Sequence, residues 1–359
     1  MIKRRMFLGL LVAMGATTLM AADPAFDKLD AGKKELMQWF LDNEYGHAPI
    51  GRPADMTFQG NSIVFAGKVK VDLTVKLPVG ASKEKPCPVI LMGDFRAWNN
   101  GMHDDKYSHE QDKLQKEIDA YVTSRGYAIV HYNLNEVAPD QPRRRMIASL
   151  KQQGKPLPPY PYGVFEVYGG ESDRTATSWG TIRAWAWGHS RVLDWIETQP
   201  MLDAKRVAVC GHSRLGKTAI CAGVTDPRFK ITYSNASGCG GAKLNKFKAD
   251  RSEHIHQITR GFPYWFCQNY LKWRGHDLEI THDQDEWMGL VSPRCLYVAS
   301  GSKDDWAGPA AEKAAADKVA AAWEKQGLKG KVGYHCHEGG HAFDLRDFKL
   351  FLDFCDTRL

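Results

Sequence analysis

Short apolar runs alternate with helical patterns through most of the chain. The runs are almost continuously apolar, which is typical of strands covered on both faces of a parallel sheet, and they occupy residues 88–92, 127–132, 206–210 and 294–299. Stretches with helical periodicity accompany them at residues 108–124, 179–198, 214–224 and 309–326. This alternation predicts an α/β fold in which helices cover both faces of a doubly wound, mostly parallel sheet.

The region that precedes these runs has a different pattern. Residues 68–77 alternate polar and apolar side chains and stop at Pro78, which predicts a half-exposed antiparallel strand at the N-terminal edge of the sheet. Residues 24–45 combine apolar and charged positions and predict an amphipathic helix. No linker, repeat or low-complexity segment divides residues 23–359, so we interpret them as one domain.

The N-terminal segment has the pattern of an export signal. Lys3, Arg4 and Arg5 precede a mostly apolar stretch at residues 6–20, and alanines follow at positions 21 and 22. The stretch is too short for a stable membrane-spanning helix and is interrupted by Gly and Thr. We therefore predict that residues 1–22 are a signal peptide and that the protein is exported to the periplasm or the exterior. The general and the twin-arginine export routes both fit this pattern.

The charge pattern and a cluster of histidines near the C-terminus bear on which partners and metals the protein binds. The formal net charge is +6, three basic residues lie in the predicted signal peptide, and no basic run in residues 23–359 is longer than that at residues 143–145. This balance argues against a nucleic-acid partner. Four residues that could bind a metal cluster near the C-terminus, but strand alternation would place Cys336 opposite His335 and His337, with His341 beyond the strand. We expect a monomer without a metal or other cofactor.

A candidate nucleophile lies where a predicted strand meets a predicted helix. The strand at residues 206–210 leads into Gly211, and the helical pattern begins directly after Ser213. A serine at such a turn projects from the sheet and lies near the first N–H groups of the helix, which can donate to an oxyanion. Leu215 stands where the common form of this motif has a small residue. We identify Ser213 as the candidate nucleophile.

The residues needed to activate a serine follow in the order typical of α/β-hydrolases. The candidate acids, Asp304 and Asp305, come after the strand at residues 294–299, and His341 comes after a strand-like stretch at residues 332–337. The order of nucleophile, acid and histidine is the one that this fold uses. The sequence therefore predicts a Ser-His-Asp triad with either aspartate as its acid.

The segment around Ser213 resembles a family signature. Residues 211–217 match the pattern G-x-S-R-x-G-K of the glucuronoyl esterases, carbohydrate esterases that cleave esters of (4-O-methyl-)glucuronic acid on xylan. Further blocks that resemble the family lie at residues 179–188, 237–241, 262–267, 274–277 and 338–341. The resemblance covers most of the predicted mature chain, and it implies an α/β-hydrolase fold and a serine esterase.

The resemblance also implies roles for residues around the serine. Arg214 would stabilise the oxyanion, and Lys217 would contact sugar hydroxyls. The other residues implied for sugar binding are Glu253, Trp306, Trp265 and Trp179.

The identity of the acid differs within the family. Many members carry a glutamate before the S-G-x-G-G block, where this chain has no carboxylate at residues 235–237. Other members place an aspartate after the next strand, and Asp304 fits that pattern because Trp306 follows two residues later. Asp305 remains open as the alternative.

Glucuronoxylan or a small uronate ester is the expected substrate. An acetyl xylan esterase or another carbohydrate esterase of this fold is the first alternative, since a triad alone does not select the acyl group. A non-catalytic carbohydrate-binding protein on a hydrolase scaffold is the second, and the complete Ser-Asp-His set argues against it. A metal hydrolase would need a ligand set that the sequence does not offer.

Overall fold

The computed structural model describes residues 29–94, 105–140, 148, 151–152, 154, 162–169, 174–247 and 251–359. Within these residues, nine strands form one sheet in the order β1-β2-β3-β5-β4-β6-β7-β8-β9. The strands are β1 Met56–Gln59, β2 Ser62–Phe65, β3 Val69–Lys76, β4 Cys87–Asp94, β5 Ala128–Asn133, β6 Leu202–His212, β7 Ile231–Asn235, β8 Cys295–Gly301 and β9 Val332–His337.

The sheet is parallel from β5 through to β9 and antiparallel at its N-terminal end. Strands β1, β2 and β3 pair antiparallel with one another, and β3 pairs antiparallel with β5. All remaining neighbours pair in parallel. The predicted mostly parallel sheet with an antiparallel N-terminal edge is thus confirmed. That edge consists of three strands, and β3 alternates buried and exposed residues as its sequence predicts.

The helices predicted at residues 108–124, 179–198, 214–224 and 309–326 are present, with ends that differ by up to three residues. The helix predicted at residues 24–45 begins at Ala31, and residues 24–28 lie outside the described residues. The α-helices are α1 Ala31–Phe40, α2 Asp105–Ser124, α3 Leu134–Val137, α4 Val164–Tyr168, α5 Thr181–Ile196, α6 Arg214–Thr225, α7 Ile255–Gly261, α8 Gln284–Gly289, α9 Pro309–Glu324 and α10 Leu345–Cys355. A π-helical turn at Leu41–Tyr45 extends α1, and 3₁₀ turns occur at Gln268–Trp273 and Asp277–Glu279.

Alternate residues of the buried strands divide the core into two layers. Val89 and Leu91 of β4 belong to a cluster with side chains of α5 and α6, whereas Ile90 and Met92 belong to a second cluster with those of α2 and α10. The central parallel strands are therefore covered on both faces. This burial explains why their sequences are almost continuously apolar.

The predicted signal peptide at residues 1–22 lies outside the described residues. In the described part of the chain, no helix has the length and apolar character needed to cross a bilayer. All eight cysteines are described, each is a free thiol, and Cys336 is the exposed one. The other seven thiols are buried.

Helix α6 packs unusually close to the strands beneath it. A Cβ atom at Gly211 would lie 2.2 Å from the carbonyl oxygen of Leu215, and one at Gly223 would lie 1.9 Å from Thr232 Oγ1. Glycine is required because no larger residue fits these contacts without moving the helix. The turn between β6 and α6 contains Ser213, whose φ of 58° is positive.

We predict that Gly211→Ala destabilises the protein by about 3 kcal/mol, because overpacking against backbone atoms cannot be relieved by a rotamer change. The measurement is the midpoint of thermal unfolding. Gly289→Ala is the matched control, since no heavy atom lies within 4 Å of a Cβ added there. Equal midpoints for the two variants would contradict the close packing of α6.

Candidate active site

Three neighbouring loops at one edge of the sheet carry the predicted triad. Ser213 follows β6, Asp304 follows β8 and His341 follows β9. These strands are parallel, so their carboxyl ends lie at the same edge. Ligand sites in open α/β sheets occupy this edge. Three residues that are far apart in the sequence are therefore brought to the same edge of the sheet.

Ser213 occupies a strained turn at the N-terminus of α6. Its φ and ψ are 58° and −125°, a conformation that non-glycine residues adopt rarely and mainly at functional sites. Its N–H donates to Asn235 O at 2.8 Å, and its carbonyl accepts from Gly216 N at 2.9 Å. The amides of residues 214 and 215 precede that first helical hydrogen bond, where helices present N–H groups for an anion.

The structure distinguishes the two candidate acids. Asp304 Oδ2 lies 2.6 Å from His341 Nδ1. The Asp305 side chain is 61% exposed and lies 3.8 Å from Arg251. Burial acts to raise the pKa of Asp304, but the hydrogen bond and charge interaction with His341 outweigh it, so the pKa lies below its ordinary value. Asp304 is therefore the aspartate whose ionised carboxylate can orient the imidazole of His341.

The acid loop and the histidine loop are joined by backbone hydrogen bonds. Ser302 N donates to His337 O at 2.9 Å, and Lys303 N donates to Gly339 O at 2.7 Å. Gly339 N in turn donates to Ser302 Oγ at 3.2 Å. A Cβ at Gly301 would lie 2.2 Å from Gly340 O, so the loops approach each other closely. These contacts fix the relative positions of Asp304 and His341.

A second histidine packs against His341, which the sequence interpretation missed. The ring centroids of His212 and His341 are 4.3 Å apart, and His212 stacks on Phe343. His212 Nδ1 donates to Asn235 Oδ1 at 2.7 Å. Burial, followed by the charge of His341, lowers the pKa of His212 to about 4. His212 is thus neutral near neutral pH, and its place directly before the serine is the one signal that could have identified it.

Arg214 is held by a buried aspartate that no motif indicated. Asp140 is 3% exposed, and its Oδ2 accepts from Arg214 Nη1 at 2.5 Å. Its Oδ1 accepts from Trp265 Nε1 at 2.7 Å and from Tyr264 OH at 3.1 Å. The guanidinium also lies over the rings of Phe262 and Trp265, at 5.3 and 4.8 Å. Arg214 is therefore fixed from two directions beside Ser213.

Lys217, Glu253 and Trp306 form a second polar group next to Arg214. Lys217 is buried one turn along α6 and donates to Ser237 O. Glu253 N donates to Trp306 O at 2.9 Å, and the Trp306 side chain lowers the pKa of the Glu253 carboxyl against the effect of burial. Burial lowers the pKa of Lys217 and raises that of Glu253, while their mutual attraction opposes both shifts. Trp306 is 53% exposed, so its ring is accessible to a ligand.

The other two tryptophans have different surroundings. Trp265 is buried, stacks on Phe262 at 3.8 Å and donates to Asp140. Trp179 is buried between Phe165 and Trp187 and donates to a backbone carbonyl. Trp265 thus supports Arg214, and Trp179 is a core residue. The expectation that these two rings line a sugar site is not supported by their positions, because stacking on a sugar needs an exposed ring face.

The histidines of β9 lie as strand alternation predicts. His335 and His337 share one face and both contact Asp347, whereas Cys336 is exposed. Asp347, which the sequence interpretation missed, comes from α10. The three possible ligand atoms lie within 4.8 Å of one another, and hydrogen bonds join them in the structure.

The class of protein follows from this geometry. A mostly parallel sheet with a serine at the turn after β6, and with a histidine–aspartate pair at neighbouring strand ends, defines an α/β-hydrolase. A family model described as glucuronyl esterase, fungi, matches residues 62–327. The chain belongs to the glucuronoyl esterase family and is a carboxylic ester hydrolase.

Individual relatives agree with this family. A carbohydrate esterase from an unknown prokaryotic organism is 28% identical, over 92% of this chain and 85% of the relative. The 4-O-methyl-glucuronoyl methylesterase of Hypocrea jecorina is 25% identical, over 88% of this chain and 62% of the relative. The structure of a glucuronoyl esterase from Solibacter usitatus has a TM-score of 0.75 and 26% identity, with 91% of each chain covered.

We predict that Asp304→Asn lowers kcat by about 10³-fold or more, because an amide neither fixes the histidine tautomer nor stabilises the imidazolium. Asp305→Asn is the matched control and should stay within about tenfold of wild type. Both are measured by steady-state hydrolysis of benzyl glucuronate. The reverse ranking would assign the acid to Asp305, and two mild effects would contradict both assignments.

Proposed function

We propose that this protein is an exported serine esterase that hydrolyses esters of (4-O-methyl-)glucuronic acid on glucuronoxylan, including lignin–carbohydrate esters. Its catalytic residues are Ser213, His341, Asp304 and Arg214. The observation that carries the substrate class is the group formed by Lys217, Glu253 and Trp306 beside the serine, in a chain that belongs to the glucuronoyl esterase family. Residues 1–22 act as the signal peptide and residues 23–359 form one catalytic domain.

The chemistry is a two-step acyl transfer. Ser213 Oγ attacks the ester carbonyl while His341 accepts its proton, and Asp304 stabilises the imidazolium at 2.6 Å. The tetrahedral intermediate collapses, the bond to the alcohol oxygen breaks, and His341 gives its proton to that alcohol. Water then attacks the acyl-serine with His341 as base, releasing the uronic acid and restoring the serine hydroxyl.

Arg214 stabilises the oxyanion together with the amides at the start of α6. Charge stabilisation is most effective when the donor is fixed before the reaction begins. The ion pair with Asp140 and the ring of Trp265 supply this fixation. A cation beside a developing negative charge forms a stronger hydrogen bond than a neutral donor.

In this proposal the sugar is recognised by the polar group formed by Lys217, Glu253 and Trp306. Lys217 N donates to Ser213 O at 3.2 Å, so Lys217 lies one helical turn beyond the serine, and its ammonium is close to a sugar whose carbonyl meets the serine. Glu253 accepts from a neighbouring hydroxyl, and the exposed ring of Trp306 covers the sugar. A fungal glucuronoyl esterase with 21% identity has been crystallised with methyl 4-O-methyl-β-D-glucopyranuronate, which supports this class of ligand.

The first test concerns the nucleophile. Ser213→Ala should reduce turnover by about 10³-fold or more, because the acyl-enzyme can no longer form. Circular dichroism and thermal unfolding serve as controls for an intact fold. Wild-type activity should survive EDTA, since no metal takes part in the proposed steps. An alanine variant with a tenth of the wild-type rate, or loss of activity in EDTA, would contradict the mechanism.

The second test concerns the substrate. Methyl glucuronate should be hydrolysed much faster than methyl galacturonate, its 4-epimer, and faster than acetylated xylose, because a misplaced hydroxyl leaves polar groups of the site unpaired. Lys217→Ala should weaken this preference by about 1–3 kcal/mol. Lys313→Ala is the control, since Lys313 forms an exposed pair with Asp317. Equal rates on both uronates, or a preference for the acetyl ester, would contradict the proposed substrate class. Such a result would support only a general serine esterase.

A further inference from the structure

His337 lies between two hydrogen-bond acceptors. Its Nδ1 is 2.8 Å from Asp347 Oδ1, and its Nε2 is 3.1 Å from Gly340 O. A neutral imidazole carries one N–H and one lone pair, whereas an imidazolium carries two N–H groups. With a carboxylate on one side and a carbonyl on the other, both contacts are favourable only when both ring nitrogens donate.

Asp347 is arranged as an anion. Its Oδ1 also accepts from His335 Nε2 at 2.8 Å, and its Oδ2 accepts from Asp344 N at 2.9 Å. Burial acts to raise the pKa of Asp347, but its hydrogen bonds with His335, Asp344 and His337 outweigh this and lower it. A carboxylate with several donors stays ionised even when buried. The proton between Asp347 and His337 therefore belongs to the histidine.

Other charged and titratable groups also lie around this pair. Arg346 and Asp344 interact with Asp347 through their charges, but they form an ion pair with each other at 2.7 Å at the surface. His335 comes from the same strand and directs its Nδ1 to Tyr297 OH of β8 at 3.0 Å. The hydroxyl can donate to Nδ1, which leaves Nε2 of His335 to carry the hydrogen that bonds Asp347. His337 is then the ring that faces the Asp347 carboxylate with a second acceptor on its other side, and a buried carboxylate needs such a donor.

The carbonyl that His337 binds belongs to the peptide directly before His341. Gly339 has a φ of 134°, and no heavy atom lies within 4 Å of a Cβ added at Gly340. Side-chain packing therefore does not fix this part of the loop. The hydrogen bond from His337 Nε2 restrains the peptide on one side, and the bonds from Lys303 N to Gly339 O and from Gly339 N to Ser302 Oγ restrain it on the other.

We propose that His337 is a positioning residue that is held as an imidazolium by Asp347 and that fixes the peptide carrying His341 through the carbonyl of Gly340. The role rests on the proposed function of His341 as the catalytic base. Displacements of about 1 Å in a catalytic group can cost about 100-fold in rate, so a loose Gly340 peptide impairs proton transfer without removing any reacting group.

The kinetic test compares two replacements of His337. His337→Gln loses the charge and cannot donate from two opposed ends, so kcat should fall by about 10- to 100-fold while KM changes less than about twofold. His337→Arg keeps a permanent cation with several donors and should recover a large part of that loss. His276→Gln, at an exposed histidine paired with Glu279, is the control and should match wild type.

A spectroscopic test uses the wild-type protein alone. In protein labelled with ¹³C,¹⁵N-histidine, both ring nitrogens of His337 should have the chemical shift of protonated nitrogen near neutral pH, with assignment from through-bond correlation to the backbone of the wild-type chain. A ring with one unprotonated nitrogen would overturn the proposal. Stoichiometric metal in the purified protein, bound through His335, His337 and Asp347, would also overturn it.

The outcomes separate this proposal from the proposed function. If His341→Ala is inactive and His337→Gln has the wild-type kcat, only the positioning role fails. If His341→Ala keeps its activity, the assignment of the base fails and the positioning role fails with it. A His337→Arg variant as slow as His337→Gln would show that the cation is not what matters, and it too would overturn the proposal.

Discussion

The position of the candidate site depends on a backbone contact that only glycine allows. At Gly211 the chain passes so close to the carbonyl of Leu215 that a Cβ would lie 2.2 Å from its oxygen. Helix α6 can therefore start immediately after β6. The chain changes direction at Ser213, which has a positive φ. Because Arg214 and Lys217 lie on the first turns of the same helix, this one contact determines the positions of the candidate nucleophile, the neighbouring guanidinium and the buried ammonium.

Buried charge is the second constraint on this region, since each charge removed from water needs a partner. Lys217 and Glu253 partly compensate each other, and two further carboxyls lie nearby. Burial raises the pKa of Glu44 to about 8 and that of Glu312 to about 7. Glu312 also accepts from Gly238 N at 2.9 Å. Among the carboxyls that act on the pKa of Lys217, Glu253 has a larger effect than Glu312 and is its main counterion.

The sequence predicts those features that depend on local pattern or on chain order. The apolar runs identify the parallel strands, and the order of Ser213, Asp304 and His341 predicts the candidate triad because parallel strands end at one edge. Asp140 could not be found in this way, since it lies 74 residues from Arg214 and meets it only in the folded chain. The same holds for Trp179, because burial of an aromatic ring is decided by tertiary packing and not by its sequence neighbours.

The side chains of the candidate site differ in their exposure to solvent, and this difference affects substrate specificity. The His341 side chain is 46% exposed and Trp306 is 53% exposed, whereas their partners Asp304 and Glu253 are buried. Under the proposed mechanism His341 must reach the leaving alcohol, so the alcohol lies on the exposed side. The uronate then lies against the side formed by Lys217 and Glu253. Fixed polar groups discriminate strongly between hydroxyl patterns, while an open face does not, so this arrangement favours selectivity for the acid and tolerance of large alcohols.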